Sequence, residues 1–439
     1  MLNLPLERLQ ATVSTAERFE IRGRLRAATG LLLSGTLPAA VGDLGEVLIA
    51  PERTALAEVI GFSHGLARLV LYEHAEAVQA GMPVRLRKGG PAIPVGPALL
   101  GRVLDGLGRP LDHKPGPVGC PTQPLGAGTP GPLERARVRQ PFITGQRAVD
   151  GLLTLGRGQR VGIFAGSGVG KSTLLGEIAK GAEADVIVLA LIGERGREVK
   201  PFLDDCLGEH GRSRSVVVVA TCEQTPLMRV RAAQAAITMA DYFRRQGANV
   251  LFMLDSLTRL AMAQRELGLA LGEPPSARGY TPSVFQLLAT TVEALGNGAQ
   301  GSITGILTVL VDGGDLDEPI SDAVRSLVDG HIVLDRRLAE RGHYPAINVA
   351  QSISRIAQDV TDADQQLAAR KLRAILATHA DAEDLIRIGA YAKGTSPPID
   401  RMIELLPAVE AFLCQNTGER SSFGETQAVM AQIASSWPF

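Results

Sequence analysis

Residues 160–178 constrain this chain more than any other stretch. Arg160-Val-Gly-Ile-Phe-Ala165 reads as a short apolar strand. Gly166-Ser-Gly-Val-Gly-Lys-Ser172 reads as a glycine-rich turn. From Thr173 onward a helix follows, with Leu174, Leu175, Ile178 and Ala179 on one face. Strand, turn of small residues closing on Gly-Lys-Ser, and helix are the parts of a phosphate-binding loop, with Ala165 where the commonest form has its first glycine. Gly166, Ser167, Gly168, Val169 and Gly170 let backbone N–H groups curl around phosphate oxygens, and the helix that opens at Lys171, Ser172 and Thr173 aims its positive end at the same charge. Lys171 is expected to reach the β/γ-phosphates and the Ser172 hydroxyl to sit on Mg²⁺. A turn that merely happens to contain these residues is the alternative. The required order of strand, loop and helix argues against it.

The chain has 439 residues, enough for two or three domains, and its 49 glycines suit an α/β protein with many tight turns. A net charge of −1 gives no hint of nucleic acid or an anionic membrane as partner. Cys120, Cys206, Cys222 and Cys414 have no paired spacing, which argues against a disulfide framework or zinc site and fits a reducing cytoplasm. The longest clean apolar run, Val186–Ile192, is far short of the ~18 residues of a spanning helix. The first residues lack a basic region followed by an apolar core, so no secretion signal is expected. The expectation is a soluble cytoplasmic protein; if it works at a membrane, a partner brings it there.

Three domains are expected. Residues 1–88 hold a short amphipathic arm over 1–18 and then several short alternating segments separated by Gly, Pro and Asp, which read as a small β-barrel. The alternating Arg22, Arg24 and Arg26 read as a solvated strand face. Base-stacking barrels need aromatics, and this region offers only Phe19, Phe62 and Tyr72. Residues 89–365 open with a Gly/Pro-rich linker. They then alternate continuous apolar strands (Val186–Ile192, Val216–Ala220, Val250–Leu254, Ile303–Val311) with helices such as Met228–Arg245, which indicates a mainly parallel sheet covered on both faces. Residues 366–439 read as helices over Ala368–Thr378, Ala382–Ala392 and Ile399–Leu413, with a last one from near Ser421.

Asp255 ends an apolar strand, where phosphate-loop enzymes keep a carboxylate for Mg²⁺. Glu194 follows another buried strand and is well placed to orient or deprotonate attacking water, with Arg195 beside it for the γ-phosphate. A salt-bridged surface turn would look the same, since Glu and Arg alternate from Glu194 to Glu198. Chemistry alone does not select Arg355.

Taken together, these segments resemble one family: the ATPases of type III protein export, flagellar and injectisome, which are relatives of the catalytic β subunit of the rotary ATP synthase. The resemblance runs from about Glu20 to the C-terminus. Its most telling segments are Gly158-Gln-Arg through Ser172, Leu189 to Val199, Arg278 to Phe285, Asp329 to Leu334 and Tyr344-Pro-Ala-Ile-Asn348. The resemblance implies a RecA-like core between an N-terminal β-barrel and a helical C-terminal domain, with ATP as substrate and Mg²⁺ as cofactor. It implies Glu194 as the carboxylate that polarises water, Arg195 as its phosphate-contacting neighbour, and Asp255 as the metal-side acid. Arg355 matches the arginine finger lent to a neighbouring subunit, and Tyr344 and Phe412 match aromatics that flank adenine. Because Glu194 and Arg355 lie in one chain, a homohexamer would complete every site. Stalk and regulator proteins, export substrates and chaperones are the implied partners, at the inner-membrane export gate. Two departures stand out: Ala289-Thr-Thr291, where the family often has Pro and a basic residue, and Cys222-Glu223, for a more usual small polar pair. Neither is expected to touch the chemistry.

Three other functions compete. A proton-driven ATP synthase catalytic subunit is disfavoured by the single-chain Glu and Arg pair. A hexameric RNA translocase is disfavoured by the aromatic-poor barrel and neutral charge. A non-catalytic nucleotide-holding subunit is disfavoured by Glu194. Within the export family, Arg420-Ser-Ser-Phe-Gly-Glu-Thr426 favours the flagellar type, with the injectisome type as alternative.

Overall fold

The computed structural model describes residues 20–74, 77–126 and 129–438. The arm expected over residues 1–18 lies outside them. The described chain divides into two compact units, residues 1–91 and 92–439.

The first unit is a closed antiparallel barrel. Its strands are β1 (Arg22–Thr29), β2 (Leu32–Thr36), β3 (Leu44–Ala50), β4 (Arg53–Ser63), β5 (Leu66–Leu71) and β6 (Pro83–Arg87), in the order β1-β2-β5-β4-β3-β6. Period-2 alternation sends Leu25, Leu33, Val47, Val59, Leu69 and Val84 inward. Arg22, Arg24 and Arg26 stay exposed on β1, the solvated face that the alternation predicts. Closure leaves no free sheet edge.

The second unit is built on a nine-stranded sheet. Its path is β14 (Ile353–Ser354), β13 (Gly330–Leu334), β8 (Arg160–Ala165), β12 (Ser302–Leu310), β11 (Asn249–Asp255), β9 (Val186–Ile192), β10 (Ser215–Ala220) and β7 (Arg102–Leu104), with Gly296–Asn297 pairing on β12. From β13 to β7 every pairing on the path is parallel. β9 and β10 are buried at every position, as expected of strands covered on both faces. β7 comes from the Gly/Pro-rich stretch, where the sequence reads as a linker. There Arg102–Leu104 adds an edge strand to the central sheet beside β10.

Parallel strands bring their carboxyl ends to one edge, and the strand order decides what meets there. β8 ends in the phosphate loop, β11 in Asp255, and β9 runs into Glu194. Helix α1 (Arg147–Leu152) precedes β8, and helix α2 (Lys171–Gly181) follows the phosphate loop. After Glu194 the chain forms an α-helical turn (Gly196–Pro201), a π-helical turn (Phe202–Leu207) and another α-helical turn (Gly208–Ser213).

The C-terminal helices are α3 (Ala363–Arg387), α4 (Pro397–Leu413) and α5 (Phe423–Ser435). The sequence suggests two helices where α3 is continuous. Thr378–Asp381 contains no Gly or Pro to break it, and the helix stops just before Gly389, at φ 70°. These helices share one core with the nucleotide-binding sheet: Leu372, Ile375, Met402, Phe412, Met430 and Trp437 join Val149 and Leu152. Among the described residues, no helix is long and apolar enough to cross a membrane.

One close approach fixes α2 against the segment after Glu194. A Cβ on Gly176 would lie 2.6 Å from Cys206 Cβ and 2.9 Å from Cys206 Cα. Gly176→Ala raises helix propensity, yet it should destabilise the protein by roughly 1–3 kcal/mol, because overpacking outweighs a propensity gain of under about 1 kcal/mol. Thermal unfolding checks this: a melting temperature equal to or above wild type would contradict the packing.

Candidate functional site

The phosphate loop has the backbone its sequence demands. Gly168 and Gly170 adopt φ of 77° and 87°, in the left-handed region, and Gly170 leads directly into α2. The loop therefore turns its peptide groups towards the space in front of the helix start. Lys171 projects from the first turn of α2 to the ends of β11 and β9. Its ammonium forms an ion pair with the Asp255 carboxylate and lies 3.8 Å from the Glu194 carboxylate.

Each acid has its own supports. Asp255 is 3% exposed, and its carboxylate accepts a 2.7 Å hydrogen bond from the Thr308 hydroxyl on β12. The Asp255–Ser256 peptide is cis. Ser256 then caps the helix Leu257–Leu271 by accepting from the Arg259 N–H. Glu194 accepts a 3.1 Å hydrogen bond from Arg259 Nε. Gly193, at φ 73°, makes this approach possible, because a Cβ there would lie 2.8 Å from Arg259 Cβ. The Glu194 backbone is tied to the end of β10: Gly193 N–H donates to the Ala220 carbonyl and Cys222 N–H to the Glu194 carbonyl. The Cys222-Glu223 departure thus lies next to Glu194. The contact is through backbone, so the change of side chain leaves it intact.

The charges compete at Glu194. Burial, and then the Asp255 carboxylate, push its pKa up, while Lys171 and Arg259 pull it down. The net direction is upward: two neighbouring cations do not fully offset desolvation and a like charge.

Ser172, Glu194 and Asp255 line one cleft of about 440 Å³, with Arg197, Val199 and Phe202 on its far wall. This is a hard-oxygen donor set. Mg²⁺ binds through one or two carboxylates plus substrate phosphates, and the Ser172 hydroxyl and Asp255 carboxylate fit it. No cluster of three or more His, Cys, Asp or Glu side chains able to hold a metal occurs among the described residues.

A second cleft, of about 490 Å³, opens on the other side of the loop. Gly168, Gly170 and Thr173 form its floor, Tyr344 and Pro345 one wall, and Cys414–Thr417 the other. Tyr344 is 46% exposed, and its ring lies 3.5 Å from where a Gly170 Cβ would be. Its flat face suits a stacked base. Phe412 does not line this cleft, and the expectation that it flanks adenine is corrected. It is 2% exposed and packs in the core against Gly151 of α1. What Phe412 and its neighbours give the cleft is backbone: Arg147 donates to the carbonyls of Phe412 and Cys414 and so fixes the wall.

Two other expected residues lie apart from the carboxylates. Arg195 is exposed and pairs with Glu198 at 3.2 Å, while Arg259, not selected from the sequence, holds Glu194. Arg259 stands four residues after Asp255, one helical turn on, and that spacing was its only signal. Thr308 was visible as a polar residue inside the apolar run of β12. Arg336 reaches the loop at the Ser167 carbonyl, 3.2 Å away. Arg355 follows β14 at the opposite end of the sheet. Ser354 pairs with Gly330, and Gly330 with Val161, so Arg355 sits beside the start of β8. The loop lies beyond its other end, ~13 Å of strand away at about 3.3 Å per residue. Arg355 is exposed, with its guanidinium donating to the Arg325 carbonyl. It is not brought to its own chain's cleft.

Residues 145–354 match the family model for the nucleotide-binding domain of the ATP synthase alpha/beta family, and residues 361–432 match that for the T3SS EscN ATPase C-terminal domain. A "Flagellum-specific ATP synthase" of Treponema pallidum is 47% identical, over 97% of this chain and 95% of its own. The structure of the assembled ATPase EscN from the enteropathogenic E. coli type III secretion system superposes with a TM-score of 0.90 at 44% identity, covering 94% of this chain and all of that one. EscN in complex with its central stalk EscO superposes at 0.87, with the same identity and coverage. The RecA-like fold, the barrel and the C-terminal helices are those of this group, and the chain belongs to the family of flagellum-specific and type III secretion ATPases.

Proposed function

We propose that this chain hydrolyses ATP to drive protein export through a type III apparatus, and that it does so as a homohexamer with sites completed between subunits. One observation carries the reading. The Lys171 ammonium meets the Asp255 and Glu194 carboxylates, which with Ser172 line one cleft, while Arg355 lies at the far end of the same sheet, exposed and out of reach of that cleft. A head-to-tail ring of identical copies brings such opposite surfaces together at every interface.

The residues divide the work as follows. Backbone N–H groups of Gly166–Thr173 and the Lys171 ammonium hold the β- and γ-phosphates. Tyr344 stacks on the base. Ser172 and Asp255 would hold Mg²⁺, which when bound neutralises charge on the phosphate oxygens. Glu194, oriented by Arg259, accepts a hydrogen bond from water and aligns it on the γ-phosphorus. Arg195 leaves its pair with Glu198 to meet the γ-phosphate, and Arg355 of the neighbouring copy stabilises charge as the bond to the leaving ADP breaks. Water adds to phosphorus, ADP leaves, and the proton of water goes to Glu194 or directly to phosphate.

The flagellar type is the preferred setting, supported by the flagellum-specific relatives at up to 47% identity. The injectisome type is the second reading, supported by the likeness to EscN. A stalk partner is inferred from the EscN–EscO complex. Regulators, export substrates and chaperones, and recruitment to the inner-membrane export gate through such partners, belong to the same reading. Nucleic acid is not a partner in it.

Glu194→Gln should lower kcat by at least ~10²-fold while leaving binding of a fluorescent ATP analogue unchanged. The raised pKa of Glu194 sets the pH dependence. Water must meet the carboxylate, so kcat/KM of the wild type should fall on acidification at a pH above the ordinary glutamate value of about 4.3. A flat profile down to that value would contradict the role. Arg355→Ala should lower ring turnover by about 10³-fold and abolish cooperativity, again without loss of nucleotide binding. Turnover and cooperativity at wild-type level in that variant would remove Arg355 from the site.

A further inference from the structure

Gln159 belongs to the Gly158-Gln-Arg160 segment that precedes the phosphate-loop strand, and the chemistry above leaves it unused. Its side chain is fully buried. Its carboxamide donates to Ser354 Oγ at 3.0 Å and to the Asp329 carbonyl at 3.3 Å. That same carbonyl accepts the Arg355 backbone N–H, at 3.0 Å. The start of β8 is bound to Asp329 from both sides as well. Arg160 N–H donates to the Asp329 carboxylate, and Asp329 N–H to the Arg160 carbonyl. The turn that carries Arg355 is therefore locked to the first residues of β8, whose last residue leads into the phosphate loop.

Ser354 makes a second tie. Its hydroxyl donates to the Thr154 carbonyl at 2.9 Å, and Thr154 Oγ1 accepts from Gln365 of α3 at 3.0 Å. The Ser354 hydroxyl is thus the point where the phosphate-loop strand and the C-terminal helices both hold the residue next to Arg355. A satisfied buried glutamine explains the hydrogen bonds alone. It does not explain why they converge on the one turn that presents Arg355.

We propose that Gln159 and Ser354 are positioning residues. They set Arg355, which serves the site on the next copy of this chain, according to the state of the phosphate loop in their own subunit. β8 is a rigid strand inside a packed sheet, so an adjustment at its loop end on phosphate binding moves its start, and with it Asp329 and Arg355. This rests on Arg355 acting in a neighbouring site. It adds a route by which filled sites signal round the ring, through one buried carboxamide and one hydroxyl.

The test uses the assembled full-length protein. Ser354→Ala removes the hydroxyl at a half-buried position, and Ser354→Thr keeps it. Where Ser354→Ala does not assemble, Gln159→Met, which keeps length and volume, takes its place. Ser354→Ala should lower kcat about fivefold, the rate equivalent of one lost hydrogen bond, and bring the Hill coefficient towards one, with affinity for a fluorescent ATP analogue unchanged. Ser354→Thr should retain wild-type kinetics. In the Arg355→Ala background, Ser354→Ala should cause no further loss, because it acts through Arg355. The same fivefold loss in that background would mean a merely structural role and overturn the proposal. Wild-type kcat and cooperativity in Ser354→Ala would overturn it too. Full turnover in Arg355→Ala alone would overturn the reading of Arg355 itself, and the single variant reports that separately.

Discussion

The site depends on one ammonium shared by two carboxylates. Lys171 pairs with Asp255 and lies within 3.8 Å of Glu194, and all three side chains are largely removed from water. Charges in such a place are poorly screened, so their positions are set by one another as much as by packing. Lys171 is fixed by the phosphate loop, and the two acids by the ends of β11 and β9. The strand order of the sheet is therefore what makes the site: shift any one strand and the three charges no longer meet. Phosphate oxygens entering the loop compete with the carboxylates for the same cation. Substrate binding then necessarily changes the surroundings of Glu194, whose pKa burial and Asp255 already raise.

Much of this was legible in the sequence, because it is local. The phosphate loop needs glycines at particular turns and a helix after them, and those are contiguous residues. Asp255 and Glu194 each end an apolar strand, which is again a short-range pattern. What escaped reading was contact across strands. Arg259 supports Glu194 from 65 positions away in sequence, and Thr308 supports Asp255 from 53. Phe412 shows the opposite failure. An aromatic near the C-terminus fitted a base-stacking role, but whether a ring lines a cleft or fills a core is decided by neighbours such as Gly151, which the sequence leaves far away. The two helices expected over Ala368–Thr378 and Ala382–Ala392 are one, α3, because nothing between Thr378 and Asp381 breaks it.

In the proposed reading, the subunit holds two half-sites back to back. One edge of the sheet carries the loop and its acids, and the other carries Arg355, with β8 running between them. The C-terminal helices are not an appendage to this arrangement. They share its core, and Gln365 and Arg373 bond to backbone and side chains beside β14. Tight, buried hydrogen bonding of this kind transmits displacement because it has few ways to relax.

The central claim is that hydrolysis needs the loop half of one copy and Arg355 of the next, and mixing two inactive variants tests it most directly. Glu194→Gln keeps its Arg355, and Arg355→Ala keeps its Glu194. In a mixed ring, an Arg355→Ala subunit placed so that it receives Arg355 from a Glu194→Gln neighbour has a complete wild-type site. Steady-state ATP hydrolysis should therefore reappear on mixing and assembly, well above that of either variant alone. Mixed rings that assemble and remain as inactive as their parents would contradict the shared-site account.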